Sequence, residues 1–338
     1  MKKNIYKKYL WLPLIVVVAI ILYKHYNQPT YRFSEGIVWT TEFHIAYESD
    51  KDLDDSIQVA LMQVDNSLSQ FNKKSLVTKI NQNMTDSTDF MFEAVYATSK
   101  RVSEETAGAF DPTCAPLVNA WGFGYKNGAL PDSTQIDSIL KFVGIEKTML
   151  TADKKIKKSD SRTSFDFSAI AKGYGCDAVG RMLERNGVKN YMVEIGGEIA
   201  LLGVNKQGEA WHISVDKPIE NNDSVIHQSS LILMANSGGI ATSGNYRNYK
   251  IVNGKKVAHT INPKKGYPEI SNLLSVTIVA PSCMEADAYA TACMVMGLNR
   301  TKQFMKNNDK LGVYLVSVDK NGKNEPWMNS KFKKMVVE

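Results

Sequence analysis

The chain has 338 residues, of which 43% are hydrophobic and 22% charged, a balance that fits one large or two moderate globular domains and excludes a disordered, collagen-like or low-complexity chain. The net charge of +6 comes from the basic ends, residues 1–28 and 300–338, so the body between them is slightly acidic and lacks the clustered positive charge of a nucleic-acid-binding face. The four cysteines have neither C-x-x-C spacing nor histidines at zinc-finger spacing, and we expect small buried side chains rather than a zinc site or a disulfide scaffold.

The N-terminal segment, residues 1–28, is predicted to be a membrane anchor. Residues 1–8 are basic, and residues 9–23 (YLWLPLIVVVAIILY) form an unbroken apolar run. At about 1.5 Å per residue this run reaches roughly 22 Å, slightly less than the roughly 30 Å hydrocarbon core. It fits either a signal-peptide core or a short signal anchor, and no small-x-small cleavage site or lipid-carrying cysteine follows it. We therefore expect an uncleaved single-pass anchor with the rest of the chain exported.

Hydrophobic periodicity assigns the elements of the body, with residues 29–35 as a polar linker and residues 36–338 as the folded domain. Gly108 and Asn186–Gly187 mark helix ends, and Asn253–Gly254 marks a hairpin turn. In chain order the predicted elements are a strand (37–47), four helices (54–72, 89–106, 131–144, 168–185), six strands (191–202 with a break at Gly196–Gly197, 211–216, 231–235, 249–252, 256–261, 274–280), two helices (285–296, 300–307) and a strand (313–318).

The order of these elements shows no regular βαβ alternation. This predicts the α+β class, as a single domain with mixed sheets and flanking helices, rather than a doubly wound parallel sheet.

A carboxylate and a hydroxyl are spaced for one helix face in MEADAYATA (284–292). Asp287 and Thr291 are four residues apart, and their oxygens suit a hard cation such as Mg²⁺. The alternative is an ordinary first helical turn, in which Glu285 and Asp287 favour the helix dipole. The spacing alone favours that alternative.

Two further segments could contact a phosphate or act as a base. In DFSAIAKGYGCD (166–177), Asp166 or Ser168 could cap a helix whose N–H groups and Lys172 face an anion, although close helix packing at the glycines explains the segment equally well. His259 follows the hairpin turn. A lone histidine is more often structural, and His259 gains a catalytic role only if it faces the same cleft as Asp287.

Eight segments, taken in order from about residue 36 to 300, resemble the ApbE family of FAD:protein FMN transferases. They are WTTEF (39–43), SQFNKKS (69–75), GAFDP (108–112), DFSAIAKGYGCD (166–177), GGE (196–198), TSGNYRNY (242–249), HTINPKKG (259–266) and MEADAYATA (284–292). The chain departs from the family pattern at four places: Trp39–Thr40 replaces Met-Gly, Phe71 replaces a Tyr or polar residue, and Asn245 and Asn262 replace the commoner Asp.

The resemblance implies an enzyme that binds FAD with Mg²⁺, breaks the pyrophosphate, releases AMP and attaches FMN through a phosphoester to a Thr or Ser of another protein. It implies that Asp287 and Thr291 side chains and the Ala169 carbonyl bind Mg²⁺. His259 is implied as the base or a phosphate contact, and with Asp287 it forms the catalytic pair. The implied FAD contacts are Trp39, Phe71, Ala109, Phe110, Asp111, Asp166, Lys172 and Ile261.

The resemblance also implies a protein partner. Family acceptors carry a motif of the type D-G-x-[SA]-G-A-[TS] and commonly work in electron transfer, which places this chain at a bacterial inner membrane with its catalytic domain on the periplasmic side. Two alternatives stay open. Water could replace the acceptor hydroxyl, giving an FAD pyrophosphatase, or the chain could be a non-catalytic flavin-binding protein.

Overall fold

The computed structural model describes residues 11, 13–18, 30–123, 130–218, 229–244, 249–252, 255–258, 260–269 and 271–337. Residues 13–18 are helical, and none of the helices in these ranges is long and apolar enough to cross a membrane. Most of the predicted anchor lies outside the described residues and stays a prediction.

One large antiparallel sheet organises the fold, with strands in the order β1-β2-β5-β6-β9-β12-β13-β14. Its strands are β1 (Tyr31–Val38), β2 (Thr41–Glu48), β5 (Tyr191–Ile195), β6 (Glu198–Leu202), β9 (Ser237–Gly244), β12 (Leu273–Ala280), β13 (Gly312–Val318) and β14 (Asn324–Met328). Smaller antiparallel sheets contain β3 (Thr148–Leu150), β4 (Ile156–Lys158), β7 (Trp211–Asp216), β8 (Ser229–Ala235), β10 (Tyr249–Val252), β11 (Lys255–Ala258) and β15 (Val336–Val337). This mixed helix–sheet architecture agrees with the predicted class.

The long helices pack on one face of the large sheet, and the short C-terminal helix packs on the other face through Phe332, beside β7 and β8. The helices are α1 (Asp54–Leu68), α2 (Leu76–Asn81), α3 (Phe90–Glu105), α4 (Ala115–Ala120), α5 (Ser133–Leu140), α6 (Ala171–Arg185), α7 (Cys283–Lys306) and α8 (Ser330–Lys333). The predicted apolar face of α1 packs inward, with Ile57, Leu61 and Val64 at most 2% exposed. Of the cysteines, Cys176, Cys283 and Cys293 are buried and Cys114 is half-buried, all as free thiols.

The predicted linker at residues 29–35 is wrong from Tyr31 onward. Tyr31–Val38 is strand β1, which pairs with β2 through a two-residue turn at Trp39–Thr40. Of its side chains only Ser34 is buried, because β1 is an edge strand with most of its surface in water. A strand with so little burial has no apolar alternation for a sequence pattern to detect.

Three predicted helix boundaries also differ. The first helix ends at Leu68 rather than Asn72, because Ser69 is extended. The helix predicted over 168–185 begins only at Ala171. The last two predicted helices join into α7, which bends at Gly297, where φ is +71°.

Candidate active site

A cleft of about 790 Å³ opens where the ends of β6, β7 and β9 meet helices α6 and α7. Its walls bring together segments that are far apart in sequence, and most of the predicted site residues line it. These are Phe71, Ala109, Phe110, Asp111, Asp166, Ala169, Lys172, Ile261, Asp287 and Thr291.

Asp287 and Thr291 reach the cleft from one face of α7, as their spacing predicts. Asp287 is 4% exposed, and its Oδ2 accepts a hydrogen bond from the Gly173 N–H at 3.1 Å. Thr291 Oγ1 lies 3.3 Å from Ser243 Oγ on β9. A Cβ at Gly173 would overlap the Cys283 carbonyl, so this glycine serves close packing of α6 on α7.

The start of α6 leaves a carbonyl unused beside Asp287. In a continuous helix the Gly173 N–H would donate to the carbonyl of Ala169, but here it donates to Asp287 instead. In the described ranges no other group donates to this carbonyl. The delayed start of α6 therefore places an orphaned main-chain oxygen on the cleft wall.

Lys172, a partly buried residue of the cleft wall, forms an ion pair with the buried carboxylate of Glu198. Its Nζ lies 2.6 Å from Glu198 Oε2, and Glu198 is 4% exposed. Burial opposes the charge of Lys172, but the Glu198 and Asp287 carboxylates outweigh it and raise the pKa of Lys172. Burial also raises the pKa of Glu198 to about 7, against the opposing effect of Lys172, and raises the pKa of Asp287 in the same way. Two buried carboxylates thus share one cation.

Asp166 and Asp111 hold the neighbouring loops in shape. The Asp166 N–H donates to the Pro112 carbonyl at 2.6 Å, which ties the loop before α6 to the loop after α3. The Asp111 carboxylate accepts hydrogen bonds from the Thr113 N–H, the Thr113 hydroxyl and the Ile145 N–H. Burial raises the pKa of Asp111, and the bonds from Thr113 partly offset this. The described partners of Asp111 are therefore structural.

The loop over residues 260–269 closes another wall. Ile261 is buried against Leu117 and Ile136 while lining the cleft. Asn262 Oδ1 accepts the N–H groups of Lys264 and Lys265, which folds the loop back. His259 lies outside the described residues, so its predicted place at the cleft stays a prediction.

Phe71 and Trp39, two of the three predicted aromatic contacts, differ in position. Phe71 lines the cleft and is 63% exposed, since the chain leaves α1 before reaching it. Trp39 is not among the cleft-lining residues. Its ring packs against Gly175 of α6, and its backbone is in the left-handed region with φ of +49°. The side chain is partly buried and packs against the hydrophobic core, including the cluster that contains Ala109 and Phe110.

The sequence prediction missed Glu198, Ser243 and the cleft-lining end of β7. In the sequence Glu198 stands out only as part of the GGE motif, although a charged residue at an inward strand position is a usable signal. Its hydrogen-bonded cation, Lys172, is 26 residues earlier and on a helix, so no spacing rule connects the two.

The donors at the Asp287 corner fit a magnesium ion. The described ranges contain no cluster of three or more His, Cys, Asp or Glu side chains that could bind a metal ion. The corner instead combines the carboxylate of Asp287, the hydroxyl of Thr291 and the orphaned Ala169 carbonyl. All three are oxygens, and Mg²⁺ favours one or two carboxylates with its other positions left to water and substrate phosphates.

Comparison with known proteins supports one family. The family model described as "ApbE family" matches residues 39–315. The FAD:protein FMN transferase of Haemophilus influenzae is 35% identical over 303 residues, covering 85% of this chain and 86% of the relative. The flavin transferase ApbE of Vibrio cholerae superposes with a TM-score of 0.80 at 31% identity, over 91% of this chain and 99% of that one. The apo flavinyl transferase ApbE of Pseudomonas stutzeri superposes with a TM-score of 0.81 at 26% identity, over 91% of this chain and 97% of that one.

Proposed function

The chain belongs to the ApbE family and is an FAD:protein FMN transferase, and on this premise we propose that Asp287, Thr291 and Ala169 bind the Mg²⁺ ion on which the transfer depends. The unused Ala169 carbonyl carries this proposal, because an oxygen that lines the cleft and accepts no hydrogen bond from the protein is available to a ligand. When bound, Mg²⁺ offsets the negative charge on the pyrophosphate of FAD.

Lys172 provides a second positive charge for the phosphates. Its pKa is raised by the carboxylates of Glu198 and Asp287, so it stays protonated at neutral pH. The ion pair with Glu198 fixes the ammonium at the cleft wall. A charge that is already fixed needs no reorganisation as negative charge develops on the leaving phosphate.

The remaining predicted contacts bind and orient FAD. Phe71 offers an exposed ring at the cleft to a planar group, and Ile261 offers an apolar surface. Ala109, Phe110 and Asp166 lie on a wall whose loops are tied together by the bond from Asp166 to Pro112. Asp111 acts there by holding the loop, through its bonds to Thr113 and Ile145.

The transfer exchanges the phosphoanhydride bond of the FAD pyrophosphate for a phosphoester bond to the acceptor. The acceptor hydroxyl oxygen bonds to the phosphorus on the riboflavin side, the bond from that phosphorus to the bridging oxygen breaks, and AMP leaves with that oxygen. The hydroxyl proton passes to a base, for which we propose His259. His259→Ala then lowers the transfer rate by roughly 10²–10⁴-fold with FAD affinity retained. Equal losses of affinity and turnover would exclude this role.

Measuring AMP release separates transfer from hydrolysis. The protein is incubated with FAD and Mg²⁺, with and without a peptide that carries a D-G-x-S-G-A-T-type motif. We expect AMP and peptide-bound FMN to form together, and only when both peptide and Mg²⁺ are present. Equal AMP and free FMN without peptide would make the protein an FAD pyrophosphatase, and FAD binding without AMP would make it a flavin-binding protein.

We further propose that residues 9–23 anchor the protein in the bacterial inner membrane with the catalytic domain on the periplasmic side, near exported electron-transfer acceptors. The basic residues 1–8 and the apolar run support this orientation. Protease added to intact spheroplasts should digest the catalytic domain. Protection until the membrane is dissolved would place the domain on the cytoplasmic side.

A further inference from the structure

Strand β1 forms an open edge of the large sheet. It pairs with β2 over eight residues without a register shift, and within the described ranges no strand pairs with its outer side. Edge strands are usually protected by lysines, prolines or bulges. The sequence of β1, YRFSEGIV, has no lysine, proline or bulge, and its charged residues are Arg32 and Glu35. A long regular edge of this kind is a ready template for another strand.

Two large apolar side chains project from one face of this edge. Phe33 is 68% exposed and Ile37 is 79% exposed. Each is two residues from Glu35 along the strand, so the three side chains lie on the same face. Neither Phe33 nor Ile37 contributes to the described hydrophobic cores. Apolar surface left in water beside an open edge is typical of an interaction site.

The same face is acidic. The strand register places Glu35 opposite His44, Ile37 opposite Glu42, and His44 opposite Glu194. His44 Nδ1 lies 2.7 Å from Glu194 Oε2, and this hydrogen bond, with the charges of Glu194, Glu42 and Glu35, raises the pKa of His44. Three carboxylates around one histidine favour a partner that carries positive charge.

The edge lies beside the catalytic cleft. The Gly196 N–H donates to the Glu42 carbonyl at 3.0 Å, and Gly196 and Gly197 line the cleft. A strand added to β1 would be three strand spacings from β5, roughly 14 Å. About four or five extended residues cover that distance, so a chain paired with β1 can reach the rim of the cleft at Gly196 and Gly197.

We propose that β1 is the docking edge for the acceptor protein, which adds an extended segment to the sheet. This segment places apolar residues beside Phe33 and Ile37 and a Lys or Arg opposite Glu35. The proposal rests on the proposed transferase function, since it supplies that reaction with its protein substrate. A second copy of the chain fits the edge poorly. When two β1 strands pair antiparallel so that Phe33 of each copy lies opposite Ile37 of the other, the two Glu35 carboxylates lie opposite each other and repel.

Two labelled peptides test the docking by fluorescence anisotropy with the full-length protein. The short peptide carries only the D-G-x-S-G-A-T-type motif. The long peptide adds a spacer of about five residues and a strand of alternating apolar and basic residues long enough to match β1. We expect the long peptide to bind at least about tenfold more tightly. The double variant Phe33→Lys, Ile37→Lys should lose this advantage. Met84→Lys, at a side chain that is 71% exposed, is the matched control and should keep it.

The outcomes separate docking from transfer. Flavinylation of the short peptide depends only on the cleft, so the double variant should modify it at the wild-type rate. If the short peptide is modified but the variant binds the long peptide as wild type does, the docking edge is wrong and the function stands. If the long peptide binds through β1 but neither peptide is modified, docking stands and transfer to this motif is wrong. Sedimentation as a dimer that the double variant dissociates would assign β1 to self-association and overturn the proposal.

Discussion

Replacing Asp287 with Asn should separate stability from activity at the cleft. The amide oxygen can still accept the Gly173 N–H, so the contact between α6 and α7 is retained. The negative charge is lost, and with it the strongest ligand that we propose for Mg²⁺. Lys172 keeps its ion pair with Glu198, so no buried charge is left unpaired.

The magnitudes follow from the shared cation. The pKa of Glu198 is raised from 4.5 to about 7, chiefly by burial and in part by the charge of Asp287. At about 1.36 kcal/mol per pKa unit, the protein environment destabilises the ionised form of Glu198 by roughly 3 kcal/mol. Removing the Asp287 charge relieves part of this destabilisation, and we expect Asp287→Asn to be more stable than wild type by about 1 kcal/mol without Mg²⁺.

Added Mg²⁺ should reverse that order. Ligand at about 100 times its Kd stabilises the native state by about 2.7 kcal/mol, and this gain should occur in wild type and vanish in Asp287→Asn. The rate of AMP release should fall by about a thousandfold, equivalent to roughly 4 kcal/mol of lost charge stabilisation.

Thermal unfolding with and without Mg²⁺, together with AMP release in the presence of acceptor peptide, measures both effects. Glu198→Gln is the control, because it also removes a carboxylate beside Lys172 but should retain the Mg²⁺-induced gain. A variant that Mg²⁺ stabilises as much as wild type, or that releases AMP at the wild-type rate, would refute the assignment of Asp287 as a ligand.

Three further predictions test the cleft and the fold around it. Lys172→Met leaves buried carboxylates without their cation and should reduce the free energy of unfolding, measured by denaturant titration, by about 3–5 kcal/mol. A second change, Glu198→Gln, should restore most of this loss. Additive losses in the double variant would contradict the pairing. Thr40 has φ of +64°, so Thr40→Gly should stabilise by about 1 kcal/mol, whereas Asn83→Gly, at φ of +58° in a residue that tolerates this region, should change little. Burial raises the pKa of Asp177 from 3.8 to about 6. Protonation of Asp177 therefore stabilises the folded state fully below pH 3.8, and this stabilisation is lost as the pH rises through 6. Asp177→Asn should gain up to about 3 kcal/mol relative to wild type between pH 4 and pH 7, and parallel stability curves for the two proteins would contradict this.

The sequence predicted elements best where burial was one-sided. The helix α1 has its core residues at spacings of three and four, and its interior position is confirmed at Ile57, Leu61 and Val64. Strand β1 was missed because it buries almost nothing. Hydrophobic periodicity in a sequence reflects which side chains are buried. An edge strand is held by main-chain hydrogen bonds, which do not depend on the side-chain pattern.

The cleft was predicted mostly through family resemblance, and its pairwise contacts could not be. Asp287 and Thr291 lie on one helical face, so their spacing was informative. The pairing of Lys172 with Glu198 joins a helix to a strand, and such a contact depends on how α6 packs on the sheet. Trp39 packs its ring against Gly175 from a left-handed turn, a position that no sequence pattern indicates, and its contact with FAD stays a prediction.

The late start of α6 links these observations. Local capping signals predict a helix from Ser168, but the structure begins it at Ala171 because the Gly173 N–H bonds to Asp287 across the interface with α7. That exchange removes the helical partner of the Ala169 carbonyl and brings a second carboxylate close to Lys172. Two buried carboxylates beside one ammonium are unfavourable for the protein alone. A cation bound between Ala169 and Asp287 relieves this and gives the unused carbonyl a partner. The place where local sequence rules fail is therefore the place where the proposed metal belongs.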